Sequence, residues 1–199
     1  MDRGPSNHLD KKLRKFLSQR KRDIITDEQL THSAVLIPLF IKDSEYHIVF
    51  IRRSQQVRDH KGEISFPGGL CEKCDEGPEK TALREAFEEI GILSHDVAVL
   101  GILDDIRTVS TRYRVTPVVG SIPYPYSFII NTREVDETME IPLSPLLCEG
   151  NGNKESITRD GVTYTGSVYR YKQYVIWGAT ARILKDFSTI WLDLTQNLQ

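Results

Sequence analysis

Glu85, Glu88 and Glu89 stand at i, i+3 and i+4 between Thr81 and Ile90, and on an α-helix that spacing stacks three carboxylates on one face. Leu83, Ala86, Phe87 and Ile90 fall on the opposite side. Like charges one turn apart repel unless water or a cation lies between them, and clustered hard oxygens suit Mg²⁺ or Mn²⁺. An acidic helix face alone is more often merely solvated, so the reading depends on what surrounds it. Two other sets compete less well. Cys71 and Cys74 form a C-x-x-C, but zinc normally takes four ligands, no second C-x-x-C exists and Cys148 is distant. The five histidines, His8, His32, His47, His60 and His95, show no metal-ligand spacing.

The elements that must position the carboxylates can be read around them. The helix is expected from Pro78 to Ile90, with Pro78 suited to its first turn and Gly91 just past its end. Upstream, apolar β-type runs from Ala34 to Ile41 and Tyr46 to Ile51, split by Lys42 to Glu45, predict an antiparallel hairpin, followed by a Gly-rich stretch from Phe66 to Leu70. Downstream, strands are expected over Val97–Leu103, Tyr113–Ile122, Tyr126–Ile130 and Gly161–Trp177, and an amphipathic helix over Ala179–Leu194. The polar, Gly-containing segment from Glu149 to Gly161 reads as a mobile loop. From Asp10 to Asp23, Leu9, Leu13, Phe16 and Leu17 recur at helical spacing among seven basic residues. That apolar stripe is short and lacks Trp, which favours docking on its own domain over a nucleic-acid or membrane arm.

The 199 residues are 39% hydrophobic and 27% charged, as expected for one globular domain with short extensions. A formal charge of -2 is too balanced for a protein that coats a polyanion. No run approaches the roughly 20 apolar residues that cross a bilayer, and Met1 to Pro5 is polar, so a cytoplasmic protein is expected. Three cysteines fit a reducing compartment.

Taken together, Gly69, Asp75, Arg84, Glu85, Ala86, Glu88, Glu89, Gly91 and Ile92 resemble the Nudix box, G-x5-E-x7-R-E-U-x-E-E-x-G-U with U apolar. Asp75 stands where that pattern has Glu, and eight residues instead of seven separate it from Arg84. Immediately upstream, Arg53, Ser54, Arg58, Gly62, Phe66, Pro67, Gly68 and Gly69 spell R-S-x3-R-x3-G-x3-F-P-G-G. This resembles the signature of the coenzyme A diphosphatase branch of Nudix hydrolases, which shares the one-residue expansion of the box. The likeness continues through Asn131–Leu143 and Trp177–Leu184.

The resemblance implies an α/β fold, the Nudix α/β/α sandwich with a mixed β-sheet, with residues 1–30 as an N-terminal helical extension and 31–199 as the Nudix domain closed by a C-terminal helix. It implies hydrolysis of the pyrophosphate bond of coenzyme A or its derivatives to 3',5'-ADP and 4'-phosphopantetheine, with Mg²⁺ or Mn²⁺ as cofactor. The partner is then a small molecule, not nucleic acid or membrane, and a homodimer is compatible. Pyrophosphate oxygens repel a nucleophile, so cations and a positioned water are needed. Glu85, Glu89 and Glu88 would hold the metal, and Arg84 would tie a neighbouring carboxylate into place. Gly68 and Gly69 would let backbone approach metal or phosphate, and Arg53 and Arg58 would bind phosphate oxygens. For the general base the later segment offers Glu134, Glu137 and Glu140, with Glu140 preferred and Glu88 the alternative within the box. Two rivals stay open: the same hydrolysis on ADP-ribose, NADH or another nucleoside diphosphate derivative, and a nucleotide sensor without turnover. Intact Glu85, Glu88 and Glu89 argue against the sensor.

Overall fold

The computed structural model describes residues 8–108, 112–159 and 161–196. The polar start at Met1–Pro5 and Asp160 of the expected loop lie outside them. The first element, α1 (His8–Gln19), buries Leu13 and Leu17 of its apolar stripe. It stops short of the expected Asp23, where Arg20 and Arg22 turn to Asp104 and Asp105. Next come β1 (Thr31–Lys42) and β2 (Glu45–Arg53), joined through Asp43 and Ser44 at φ 51° and 64°. Two positive φ values in a two-residue loop match the twist of the flanking strands. They are followed by β3 (Ile64–Ser65), β4 (Gly68–Leu70), α2 (Pro78–Ile90), β5 (Ala98–Ile102), β6 (Ile106–Arg107), β7 (Tyr113–Ser121) and β8 (Val135–Pro142). The chain closes with α3 (Leu143–Leu147), β9 (Lys154–Arg159), β10 (Val162–Ser167), β11 (Tyr169–Tyr171), β12 (Tyr174–Ile176) and α4 (Gly178–Gln196).

Among the described residues β1 to β8 form one mixed sheet. β1 runs parallel to β7 and antiparallel to β2 and β4, and β2 pairs antiparallel with β3 and β8. Alternate residues of the central strands feed two cores. Ala34, Leu36, Phe40, Val49 and Ile51 pack with Ala82, Ala86 and Ile90 of α2. Ile37, Leu39, Ile48 and Phe50 pack with Leu13 and Leu17 of α1 and with Phe187 and Trp191 of α4. Strands covered on both faces read as continuous apolar runs, which is why β1 and β2 were visible in the sequence. The result is an α/β/α sandwich with a helix at each end of the chain. No helix among the described residues is long and apolar enough to cross a membrane.

Four expectations are corrected. Residues 126–130 are not a strand: Tyr126, Phe128 and Ile130 pack against the α2 core, but the Ile129 N–H goes to the Ile90 carbonyl. The segment from Glu149 to Gly161 is not simply a loop, because β9 occupies Lys154–Arg159 and pairs with β10. The run from Gly161 to Trp177 is accordingly divided among β10, β11 and β12. Phe87, assigned to the apolar side of α2, is 53% exposed.

Candidate active site

The helix that carries the carboxylates is held at both ends by backbone geometry. Pro78 occupies its first turn, and Gly91 at φ 72° closes it, its own N–H bonding to the Phe87 carbonyl and that of Ile92 to the Ala86 carbonyl. The Ile129 and Asn131 N–H groups cap the Ile90 and Glu89 carbonyls at 3.0 and 2.9 Å. Those bonds fasten the segment leading into β8 to the last turn of α2.

Glu89 is buried with its side chain 2% exposed. Its Oε2 accepts the Gly68 N–H at 2.9 Å, and Arg53 Nη1 lies 3.7 Å from Oε1. Burial raises its pKa to about 8; Gly68 and Arg53 oppose the shift, and the charges of Glu85 and Glu134 add to it. Burial likewise raises Glu85, against the hydrogen bond from Arg84 and with help from Glu88 and Glu134. Glu88 is more exposed and takes Arg84 Nη1 at 3.0 Å.

Arg84 is the hub of this face. It forks onto both oxygens of Asp75 at 3.1 and 3.0 Å, reaches Glu85 at 2.9 Å, and donates to the Leu70 carbonyl at 2.9 Å. Asp75 is in turn held by the Thr81 hydroxyl at 2.9 Å, and the Arg84 guanidinium brings its pKa down to about 2. So the position where the box carries Asp instead of Glu is filled by a carboxylate that grips Arg84 bidentately.

The two glycines are required by close approach. A Cβ on Gly69 would lie 2.5 Å from the Glu85 carboxyl carbon, and one on Gly68 would lie 2.3 Å from the Ala34 carbonyl oxygen. Arg53 also donates from Nε to the Asp59 carbonyl at 3.5 Å, and Arg58 stands exposed on the same loop.

The structure brings together Glu85, Glu88, Glu89, Arg84, Arg53, Gly68 and Gly69. It does not bring Glu140 to them. Glu140 pairs with Lys42 at 3.5 Å and sits opposite Val49, four residues before Arg53, which is on the order of 13 Å along the strand. Glu137 is taken up by Arg52 at 2.7 Å. The third glutamate of that segment, Glu134, is the one whose charge reaches both Glu85 and Glu89. Its Oε1 accepts from Asn131 Nδ2 at 3.1 Å and its carbonyl accepts the Ser54 N–H at 2.8 Å. What separates the three is a register shift between Arg52 and Arg53, where Arg52 faces Glu137 but Arg53 faces Val135. No sequence pattern announces that bulge.

Among the described residues no group of three or more His, Cys, Asp or Glu side chains already converges as a formed metal site. Cys71, Cys74 and Cys148 are free and exposed. The donor set of Glu85, Glu89 and Glu88 nonetheless fits a hard divalent cation, because it is all carboxylate oxygen and two of its members are burdened by burial and mutual repulsion. The absence of a side chain at Gly69 lets the Glu85 carboxylate lie directly against that backbone.

Comparison with known proteins agrees with this geometry. A sequence model described as the NUDIX domain matches residues 30–147. "Uncharacterized Nudix hydrolase NudL" of Escherichia coli strain K12 is 36% identical over 182 residues, covering 90% of this chain and 93% of its own. The protein of the same name from Photorhabdus laumondii is 39% identical over 157 residues, covering 79% and 83%. Among solved structures, a MutT/nudix family protein from Enterococcus faecalis superposes with a TM-score of 0.53 at 16% identity, covering 93% of this chain and 74% of that one. The MutT protein from Methanosarcina mazei Go1 gives 0.50 at 16% identity, covering 90% and 99%. At such identities the structures attest to the fold alone. The family match spans more than half of the chain and falls on the carboxylate helix, its glycines and Arg84, and the chain belongs to the Nudix family of hydrolases.

Proposed function

We propose that this Nudix hydrolase cleaves the pyrophosphate bond of coenzyme A or its derivatives, giving 3',5'-ADP and 4'-phosphopantetheine or its acyl form. The observation that carries the reading is Glu89: a carboxylate buried beside other carboxylates, with only Arg53 and one backbone N–H against it. Such a group is matched to a cation that arrives with the substrate. Mg²⁺ or Mn²⁺ held by Glu85 and Glu89, with Glu88 beside them, would neutralise pyrophosphate oxygens and lower the pKa of a bound water.

The chain's own residues do the rest. Arg84 fixes the rotamers of Glu85 and Glu88 by holding them against Asp75. The loop after Arg53 supplies Arg58 for phosphate oxygens, where the coenzyme A signature Arg53–Gly69 places its charge. Glu134, oriented by Asn131, takes the proton of the attacking water in place of Glu140. Oxygen from that water bonds to one phosphorus as the bridging P–O bond breaks, and the bridging oxygen leaves on the other product.

One panel assay tests the whole reading: coenzyme A, acyl-coenzyme A, ADP-ribose and NADH, each with Mg²⁺ and Mn²⁺. Coenzyme A carries a 3'-phosphate that ADP-ribose and NADH lack, and one charged contact of 1.4 kcal/mol is about tenfold in affinity. We expect kcat/KM for coenzyme A to exceed those for ADP-ribose and NADH by at least about that factor. Equal values on ADP-ribose would refute the substrate, and no turnover on any would favour the sensor. In the same assay Glu134→Gln should lose about 10²-fold in kcat while Glu140→Gln stays near wild type.

A further inference from the structure

The hairpin of β9 and β10 lies beyond residues 30–147 and contributes none of the site residues above. Its strands pair from Lys154 opposite Ser167 to Arg159 opposite Val162, fastened by hydroxyl bonds of Ser156 with Thr165 and Thr158 with Thr163 at 2.8 and 2.9 Å. At its tip Arg159 reaches across to the loop between β2 and β3. One Nη donates to the Lys61 carbonyl, and the other lies 4.0 Å from Glu63 Oε1.

That loop leads back to the site in a few bonds. Gly62, at φ 66°, donates its N–H to the Arg53 carbonyl at 2.9 Å, and the Arg53 N–H donates to the Glu63 carbonyl at 2.9 Å. A Cβ on Gly62 would lie 2.4 Å from Gln55 Nε2 and 3.8 Å from the Arg159 guanidinium, so the loop is folded tightly on itself beneath that arginine. Glu63 also binds His60 at 3.0 Å. From Arg53 the side chain continues to Glu89.

We infer that Arg159 is a positioning residue: it latches the 54–63 loop from outside, and so keeps Arg53 set against Glu89 and Arg58 presented to the phosphates of the substrate. The inference rests on the pyrophosphatase reading of that site. Between the strand bonds at Arg53 and Ile64 the loop is exposed over most of residues 55–61, and each freed residue gains conformational entropy that opposes binding. Without the latch the binding-competent loop is a smaller fraction of the ensemble, and apparent affinity falls by that fraction. Once substrate is bound the loop is ordered in either case, so KM moves and kcat does not.

The test uses the full chain with Arg159→Ala, Arg159→Lys and, as a control, Arg170→Ala, which removes from β11 a guanidinium that binds Glu155 of the same hairpin at 2.8 Å. Two experiments are run: steady-state kinetics, for KM and kcat, on whichever substrate the panel shows to be turned over, and amide hydrogen exchange at residues 60–63 without any substrate. For Arg159→Ala we expect KM up about five- to tenfold, kcat within about twofold, and exchange faster by about tenfold, the worth of one charge-assisted hydrogen bond. Arg159→Lys should fall between, and Arg170→Ala should match wild type in both. Wild-type exchange and KM in Arg159→Ala would overturn the latch, as would an equal effect of Arg170→Ala. Because exchange is measured without substrate, faster exchange in a protein that spares coenzyme A would uphold the latch and reject only the substrate.

Discussion

Two clusters of arginine and carboxylate sit in this molecule, and they are built on opposite balances. Where the chain leaves α1, Arg20 forks onto Asp104 at 2.9 Å through both nitrogens, while Arg22 and Arg114 approach Asp105 at 3.2 and 3.6 Å. The Asp23 and Ile25 N–H groups and the Thr116 hydroxyl complete the set. Three guanidiniums thus serve two carboxylates, and although burial works against it, Arg20 and Asp23 hold the Asp104 pKa below its usual value. At α2, Asp75, Glu85, Glu88, Glu89 and Glu134 share Arg84 and Arg53, and both Glu85 and Glu89 are pushed up. Both clusters bury acids; only the second lacks the positive charge to do so comfortably. A tether needs no visitor, whereas a surplus of negative charge on a rigid helix marks where a cation belongs.

The comparison breaks or sharpens under substitution. The largest effect is expected in the tether: Asp105→Asn, at a side chain with 0% exposure, should cost about 3–5 kcal/mol of stability by leaving Arg22 and Arg114 uncompensated. Its folded fraction should turn over at the wild-type rate. Thermal melts paired with kcat would expose the error if activity fell while Tm held.

Glu89→Gln should do the reverse, losing on the order of 10²–10³ in kcat with no loss of Tm. The linkage sign is explicit here. The folded protein keeps a proton on Glu89 up to about pH 8, which the unfolded chain releases near its ordinary 4.5. Metal-free wild type should therefore lose stability as pH rises from 4.5 towards 8, by a few kcal/mol at most. Mn²⁺ should flatten that slope and Glu89→Gln should remove most of it, leaving the part that the raised Glu85 contributes. Asp104 acts on the acid side instead, its contribution vanishing as pH falls below its lowered value. A Glu89→Gln protein that retained both slope and turnover would end the distinction.

The smallest of the three effects belongs to Arg84→Lys. An ammonium cannot fork onto Asp75 while reaching Glu85 and the Leu70 carbonyl. Loss of that alignment should lower metal affinity or kcat by about 10–100-fold, read by titrating Mn²⁺, with the melting curve barely moved.

The carboxylate helix was legible because its signals are local: Pro78, Gly91 and a 3.6-residue pattern all lie within one segment. The misread segments fail for physical reasons. Tyr126, Phe128 and Ile130 alternate as a strand would, but alternation records which side chains are buried and not whether the backbone finds a partner strand. In β9 the reverse holds: Ser156 and Thr158 pair with Thr165 and Thr163 of β10 across a hairpin with little buried surface, so no apolar rhythm betrays the strand. The sequence does not tell Glu134 from Glu140 because their difference depends on a bulge in a strand pair whose members lie some eighty residues apart.

The bonds from Ile129 and Asn131 to the carbonyls of Ile90 and Glu89 have a consequence for how this site can open. They splice the last turn of the helix to a stretch of chain about forty residues later, immediately before Glu134. Fraying of that turn must release both partners, so the carboxylates of α2 and Glu134 belong to one cooperative unit and dissolve together. Thermal motion can shift the assembly as a block or melt it, but it cannot readily change the spacing inside it, and a half-formed site is a rare visitor to the native ensemble.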